Sequence, residues 1–167
     1  MQKKVLSEQV IYYGDVEMPK GWEVNPLNLC KQFFDALYNK KQFSFCKDWD
    51  KVCTYVREHI RIKHNLILEN KDSWSNAYLP NESTETLSHI NPMVLADSPD
   101  FILLYGINTL NCNVKINFDD NKRKGQSWNM DLKKNMFIMF PSTNTYSIQN
   151  KQKDSLNFVQ TITYERV

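Results

Sequence analysis

A chain of 167 residues with 41% hydrophobic and 13% aromatic side chains carries enough apolar surface for one domain with a full core, which excludes a disordered segment. Its 21 basic and 19 acidic residues leave a formal charge of +2 without a long block of either sign, so neither nucleic acid nor a membrane surface is an expected partner. The 4 cysteines, Cys30, Cys46, Cys53 and Cys112, contain no C-x-x-C pair and read as buried thiols of a reducing compartment.

Met1 to Val5 lacks the apolar core of a signal peptide, and no stretch approaches the roughly 18 apolar residues of a membrane span. The expected product is soluble and intracellular when made. Val10-Ile11-Tyr12-Tyr13 is β-prone and ends at Gly14-Asp15, an edge-strand signal. Asn25-Pro26 supplies an N-cap and a first-turn proline. The helix predicted after it carries Leu29, Cys30, Phe33, Phe34 and Leu37 on one stripe. A second helix is predicted from Asp48, with Trp49, Val52, Cys53, Val56 and Ile60 on its apolar face.

Residues 62–78 read as strands, Leu66-Ile67-Leu68 and Ser73 to Tyr78, joined by a turn at Asn70-Lys71. Phe101 to Tyr105 is a continuous apolar β run. Val114, Ile116 and Phe118 alternate before a polar hairpin from Asp119 to Gly125, and Trp128, Met130 and Leu132 alternate after it. Lys122-Arg123-Lys124, the densest basic spot, reads as a solvated part of that hairpin. Met136 to Phe140 is a buried strand ended by Pro141. Tyr146-Ser147-Ile148 and an alternating run from Leu156 to Tyr164 complete the set. Alternation places Trp128, Phe137, Met139, Phe158 and Ile162 in one core between two sheets. The expected fold is therefore α+β in a single domain over 1–167: helical support in 1–60 and, in 61–167, a jelly-roll antiparallel β-barrel with the helices packed on its sheet.

The order Ser73 to Tyr78, a loop with His89, an apolar strand, a polar hairpin and Phe137-Ile138-Met139-Phe140-Pro141-Ser142 resembles the prolyl-hydroxylase-like branch of the iron(II)/2-oxoglutarate oxygenases encoded by tailed phages of the T4-like group. The resemblance spans roughly residues 60–167 and implies a double-stranded β-helix, or cupin-like, barrel. It also implies a metal held by two histidines and one carboxylate, the first two ligands spaced His-x-Asp. His89 and Asn91 match that spacing, with a carboxamide in place of the carboxylate, and an alternative frame puts Leu87 and His89 there. The distal histidine of the family matches Tyr146. The cosubstrate's basic partner matches Leu156 or Asn157, with Lys151 and Lys153 in the preceding turn as substitutes.

Elsewhere, His59 and His64 are five residues apart, about 140° around a helix, and cannot share a metal from one face. The 4 glycines include no phosphate-cradling loop, and Asp119, Asp120, Glu82 and Glu85 read as solvated loop carboxylates. The expectation is a non-catalytic binding or structural protein, a pseudoenzyme with an oxygenase-like barrel and no cofactor. It is made in the host cytoplasm and assembled into a phage virion through other virion proteins or copies of itself. Tyr12, Tyr13, Trp22 and Tyr38 are its candidate contact residues. The alternative is an active dioxygenase using iron(II) and 2-oxoglutarate at an atypical site.

Overall fold

The computed structural model describes residues 8–16, 20–21, 25, 27–28, 30–31, 34–35, 47–121 and 124–167; the side chains of 47–49, 119–121 and 124 lie outside that description. Among the described residues the elements run β1 (Tyr12–Asp15), α1 (Lys47–His64), β2 (Leu68–Tyr78), β3 (Phe101–Asn108), β4 (Cys112–Asn121), β5 (Lys124–Asp131), β6 (Met136–Pro141), β7 (Thr145–Asn150) and β8 (Asn157–Arg166).

The strands form two antiparallel sheets. One is 5-stranded in the order β1-β6-β3-β8-β2, and the other is 3-stranded in the order β5-β4-β7. Single bridges from Ser83 to Gln149 and from Leu87 to Tyr146 lay the segment 83–87 along the free side of β7. The two sheets face each other without closing into a barrel, so the resemblance to a jelly roll lies in the layering and the strand order.

Each sheet's burial follows from its sequence pattern. In β7, Tyr146, Ile148 and Asn150 are buried while Thr145, Ser147 and Gln149 alternate outward, the pattern of a sheet covered on one face. In β6 and β8 nearly every residue is buried. Those strands carry two cores. Ile102, Leu104, Ile116, Ile138, Phe140 and Val159 fill the space between the sheets. Leu103, Phe137, Met139, Phe158, Ile162 and Tyr164 point the other way, against Val52, Val56 and Ile60 of α1.

That division corrects the expected single core. Phe137, Met139, Phe158 and Ile162 belong to the helix-side core, and half-buried Trp128 packs on the inter-sheet core instead. Residues 62–78 also differ from expectation. The helix continues through His64, and one strand crosses Asn70-Lys71 as a bulge between Asn70 and Asp72, with no hairpin. The first strand is shifted to include Gly14 and Asp15. Of the first predicted helix, 27–28, 30–31 and 34–35 are helical, with Asn25 Oδ1 accepting the Leu27 amide at 3.0 Å as the cap predicts. Leu29, Phe33 and Leu37 lie outside the described residues.

Turns in this glycine-poor chain are made by asparagine. Asn65, Asn81, Asn111 and Asn135 sit at φ of 51°, 59°, 48° and 63°, the left-handed region that a short polar side chain tolerates. Asn135 also ties its turn to the sheets, accepting the Tyr105 hydroxyl at 2.8 Å and donating to Val16 O at 2.6 Å.

Candidate functional site

The residues singled out for chemistry meet where the segment 83–87 lies against β7. Leu87 and Tyr146 exchange backbone hydrogen bonds, N to O at 2.7 Å one way and 3.1 Å the other. They stand directly opposite, so their side chains share a face. Two residues on, the period of an extended chain returns His89 to that face. His89 Nε2 lies 2.8 Å from the Tyr146 hydroxyl, and the two rings stack with centroids 5.7 Å apart. Trp74 of β2 leans on His89 at 5.3 Å, and Phe140 of β6 meets Tyr146 edge-on at 5.2 Å.

Burial sets the protonation of this pair. Tyr146 is buried, and desolvation first, then the nearby Tyr78, pushes its phenol well above the ordinary value, while a hydrogen bond from Thr161 opposes the rise. Half-buried His89 is moved the opposite way, its pKa lowered by desolvation. Both groups are therefore neutral at pH 7. The neutral phenol and the neutral imidazole share one hydrogen bond, whose donor is the phenol in the Nδ1–H tautomer of His89 and the imidazole in the Nε2–H tautomer.

Leu87, His89 and Tyr146, three positions that the resemblance sets at a metal, share this face. This set does not fit an iron(II) centre of two histidines and one carboxylate. Leucine offers no lone pair, and the phenol is held in its protonated form. Among the described residues no group of three or more His, Cys, Asp or Glu is placed to hold a metal. All 3 histidines of the chain are described. His59 stacks on Tyr55 and meets Phe137, and His64 meets Tyr12, so both lie on the helix side of the five-stranded sheet, across it from His89.

The other expected site residues are placed elsewhere. Asn91 turns its carboxamide into its own loop, where Oδ1 accepts the amides of Met93 at 3.0 Å and Val94 at 3.3 Å. The alternative frame, Leu87 and His89, is the one that faces Tyr146. Lys151 and Lys153 are exposed in the turn before β8. Asn157 is buried but occupied: its Oδ1 accepts the Leu110 amide at 2.8 Å, and its Nδ2 donates to Leu110 O at 3.1 Å and Asn150 Oδ1 at 2.8 Å. Asn150 in turn donates to the carbonyls of Tyr78, Leu79 and Ser155. The two amides thus close the end of the sandwich where a cosubstrate carboxylate was expected, with their amide hydrogens spent on protein oxygens.

Of the candidate contact residues, Tyr12 packs half-buried on the helix-side core, and Tyr13 is 57% exposed with its ring 5.5 Å from Trp128. Trp22 and Tyr38 lie outside the described residues. Trp74, Tyr78 and Thr161 are site residues that sequence reasoning missed. The signal was present in the strand pairing: Trp74 stands opposite Thr161, and Tyr78 opposite Asn157, all on the inter-sheet face.

No family model matches the chain, and no curated protein sequence matches it. Solved structures do. A prolyl-4-hydroxylase of Pseudomonas putida is similar with a TM-score of 0.63 over 93% of this chain and 84% of the other, at 12% identity. An oxidoreductase of the 2OG-Fe(II) oxygenase family from Burkholderia pseudomallei matches with a TM-score of 0.45 at 8% identity, covering 95% of this chain and 72% of that one. At such identity the first likeness establishes an oxygenase-like fold.

Proposed function

We propose that this chain is a binding protein built on an oxygenase-like fold, in which a hydrogen-bonded tyrosine–histidine pair replaces the iron centre. The observation that carries this reading is the 2.8 Å contact of His89 Nε2 with Tyr146. It engages the ring nitrogen that faces this site, and the leucine opposite Tyr146 leaves no second protein ligand on that rung. The asparagine pair at the far end supports the same reading, because Asn150 and Asn157 bond loops there. On this reading the protein acts through contacts, with another copy of itself or with other proteins of a phage particle, after synthesis in the host cytoplasm. Exposed Tyr13 on the edge strand β1 is the contact residue it favours.

Anaerobic calorimetry with iron(II), alone and with 2-oxoglutarate, tests the proposal. The wild type is expected to match a His89→Ala variant in both titrations. A stoichiometric iron signal present in the wild type and missing from the variant overturns it in favour of an active dioxygenase with an atypical site.

A further inference from the structure

A polar stripe crosses the apolar core between α1 and the five-stranded sheet. In the antiparallel pair of β2 and β8, Ser75 stands directly opposite Gln160. Phe158 and Ile162, two residues to either side of Gln160, pack in the helix-side core, so the period of the strand turns Gln160 to the same face. Residues directly opposite share a face, which places Ser75 there too, and Ala77, two residues on, packs on that core. α1 meets the stripe with Cys53. Gln160 Nε2 donates to Ser73 Oγ at 2.9 Å and lies 3.9 Å from Cys53 Sγ. The His89–Tyr146 pair lies on the other side of this sheet, so the two clusters are separate.

The hydrogen bonds of this stripe leave two oxygens over. Gln160 is fully buried, and Ser75 is 7% exposed. The amide hydrogens of Gln160 are directed at Ser73 and Cys53, but its Oε1 has no partner, and neither has Ser75 Oγ. Among the described residues, two of the three buried side-chain oxygens without a partner therefore sit on one rung of the ladder. Interchanging the oxygen and nitrogen of the amide only exchanges an unpaired acceptor for unpaired donors. Buried polar atoms are normally paired, and these two are cut off from bulk solvent, so the partner is a molecule held inside the core.

The rung sets the size and chemistry of that molecule. Opposite side chains have Cβ atoms about 5 Å apart, a span that one small molecule bridges with two hydrogen bonds of about 2.8 Å. Ser75 Oγ can donate and Gln160 Oε1 only accepts, so the molecule accepts at one end and donates at the other. The stripe carries no charge to hold an ion: serine and glutamine are neutral, and burial pushes the Cys53 thiol up to about 11. An apolar guest would leave both oxygens unpaired. Ser73, exposed at the outer end of the stripe, marks the side from which solvent enters. We propose that one water molecule is bound between Ser75 and Gln160 as a fixed part of the core, accepting the Ser75 hydroxyl and donating to Gln160 Oε1, with Cys53 Sγ as a neighbouring weak acceptor. Through it β2 and β8 gain a side-chain link beneath α1.

The test joins a crystal structure, at a resolution that shows ordered waters, to a double-mutant cycle read by urea midpoints. Density for one water within hydrogen-bond distance of both oxygens is expected; an empty rung, or a direct bond between Ser75 Oγ and Gln160 Oε1, overturns the proposal. In solution Ser75→Ala should lower the midpoint, and Ser75→Ala with Gln160→Met should lower it by less than the sum of the two single changes, because each single change already disrupts the same bridge. A midpoint raised by Ser75→Ala, as removal of an unpaired buried hydroxyl would give, or additive losses in the double variant, overturns it as well. Where Gln160→Met unfolds, the sign of the shift in Ser75→Ala, the smaller change, keeps the cycle decisive.

Discussion

Replacing Asn150 with alanine asks whether the far end of the sandwich is held closed by side-chain amides. Asn150 Nδ2 lies 3.0 Å from Tyr78 O, 3.0 Å from Leu79 O and 2.9 Å from Ser155 O, while its Oδ1 accepts from Gln152 N at 2.9 Å and Asn157 Nδ2 at 2.8 Å. Leu79, Gln152 and Ser155 are exposed or half-buried, so water takes over those contacts in the variant. The Tyr78 carbonyl and the Asn157 amide are buried and would be stranded. Two stranded buried groups at about 1–3 kcal/mol each give a loss of about 4 kcal/mol. Urea unfolding followed by far-ultraviolet circular dichroism should show that loss as a lower midpoint with an unchanged slope. A loss below about 1 kcal/mol would refute the reasoning, because it would mean that water already satisfies these groups.

Acidification should destabilise the protein through His89. Burial lowers its pKa, so as pH falls below about 6.5 the unfolded chain takes up a proton before the folded one does, and stability declines through the folded pKa. His89→Gln should flatten that part of the stability–pH curve, read by urea midpoints at several pH values. Gly106→Ala should cost about 1–3 kcal/mol, because a Cβ there would stand 2.3 Å from Lys133 O and 2.7 Å from Thr109 Oγ1; a thermal midpoint equal to the wild type would show that the β3 end can shift. Cys53 and Cys112, whose thiols burial pushes up to about 11 and about 12, should stay unlabelled by iodoacetamide at pH 8 until denaturant is added, as read by mass spectrometry.

What the sequence could reveal depended on how many faces of an element were covered. Strand β7 alternates between buried and solvated positions, and Tyr146-Ser147-Ile148 was legible as a strand. Strands β6 and β8 are buried on both faces, and there alternation distinguishes two sets of residues without saying which set meets α1. That is why Phe137, Met139, Phe158 and Ile162 were assigned to the wrong side of the sheet. The hairpin expected at Asn70-Lys71 failed because a polar pair can also sit in a bulge on an edge strand, where solvent meets its spare backbone groups.

The site was legible in its ligand-like residues and illegible in their partners. His89 and Tyr146, 57 residues apart in the chain, were both marked by the resemblance, and the structure brings them into contact. Whether Asn91 or Leu87 shares their face depends on register, which the single bridge from Leu87 to Tyr146 sets. The role of Asn157 depends on Leu110 and Asn150, loop contacts that no local pattern encodes.

The central claim is that the His89–Tyr146 pair stands in place of a working iron centre. Its most direct test is formation of succinate from 2-oxoglutarate by the purified protein in air, with iron(II) and ascorbate supplied. The account predicts succinate no greater than in a protein-free control, for wild type and His89→Ala alike. Succinate above that control in the wild type, lost in His89→Ala, would contradict it.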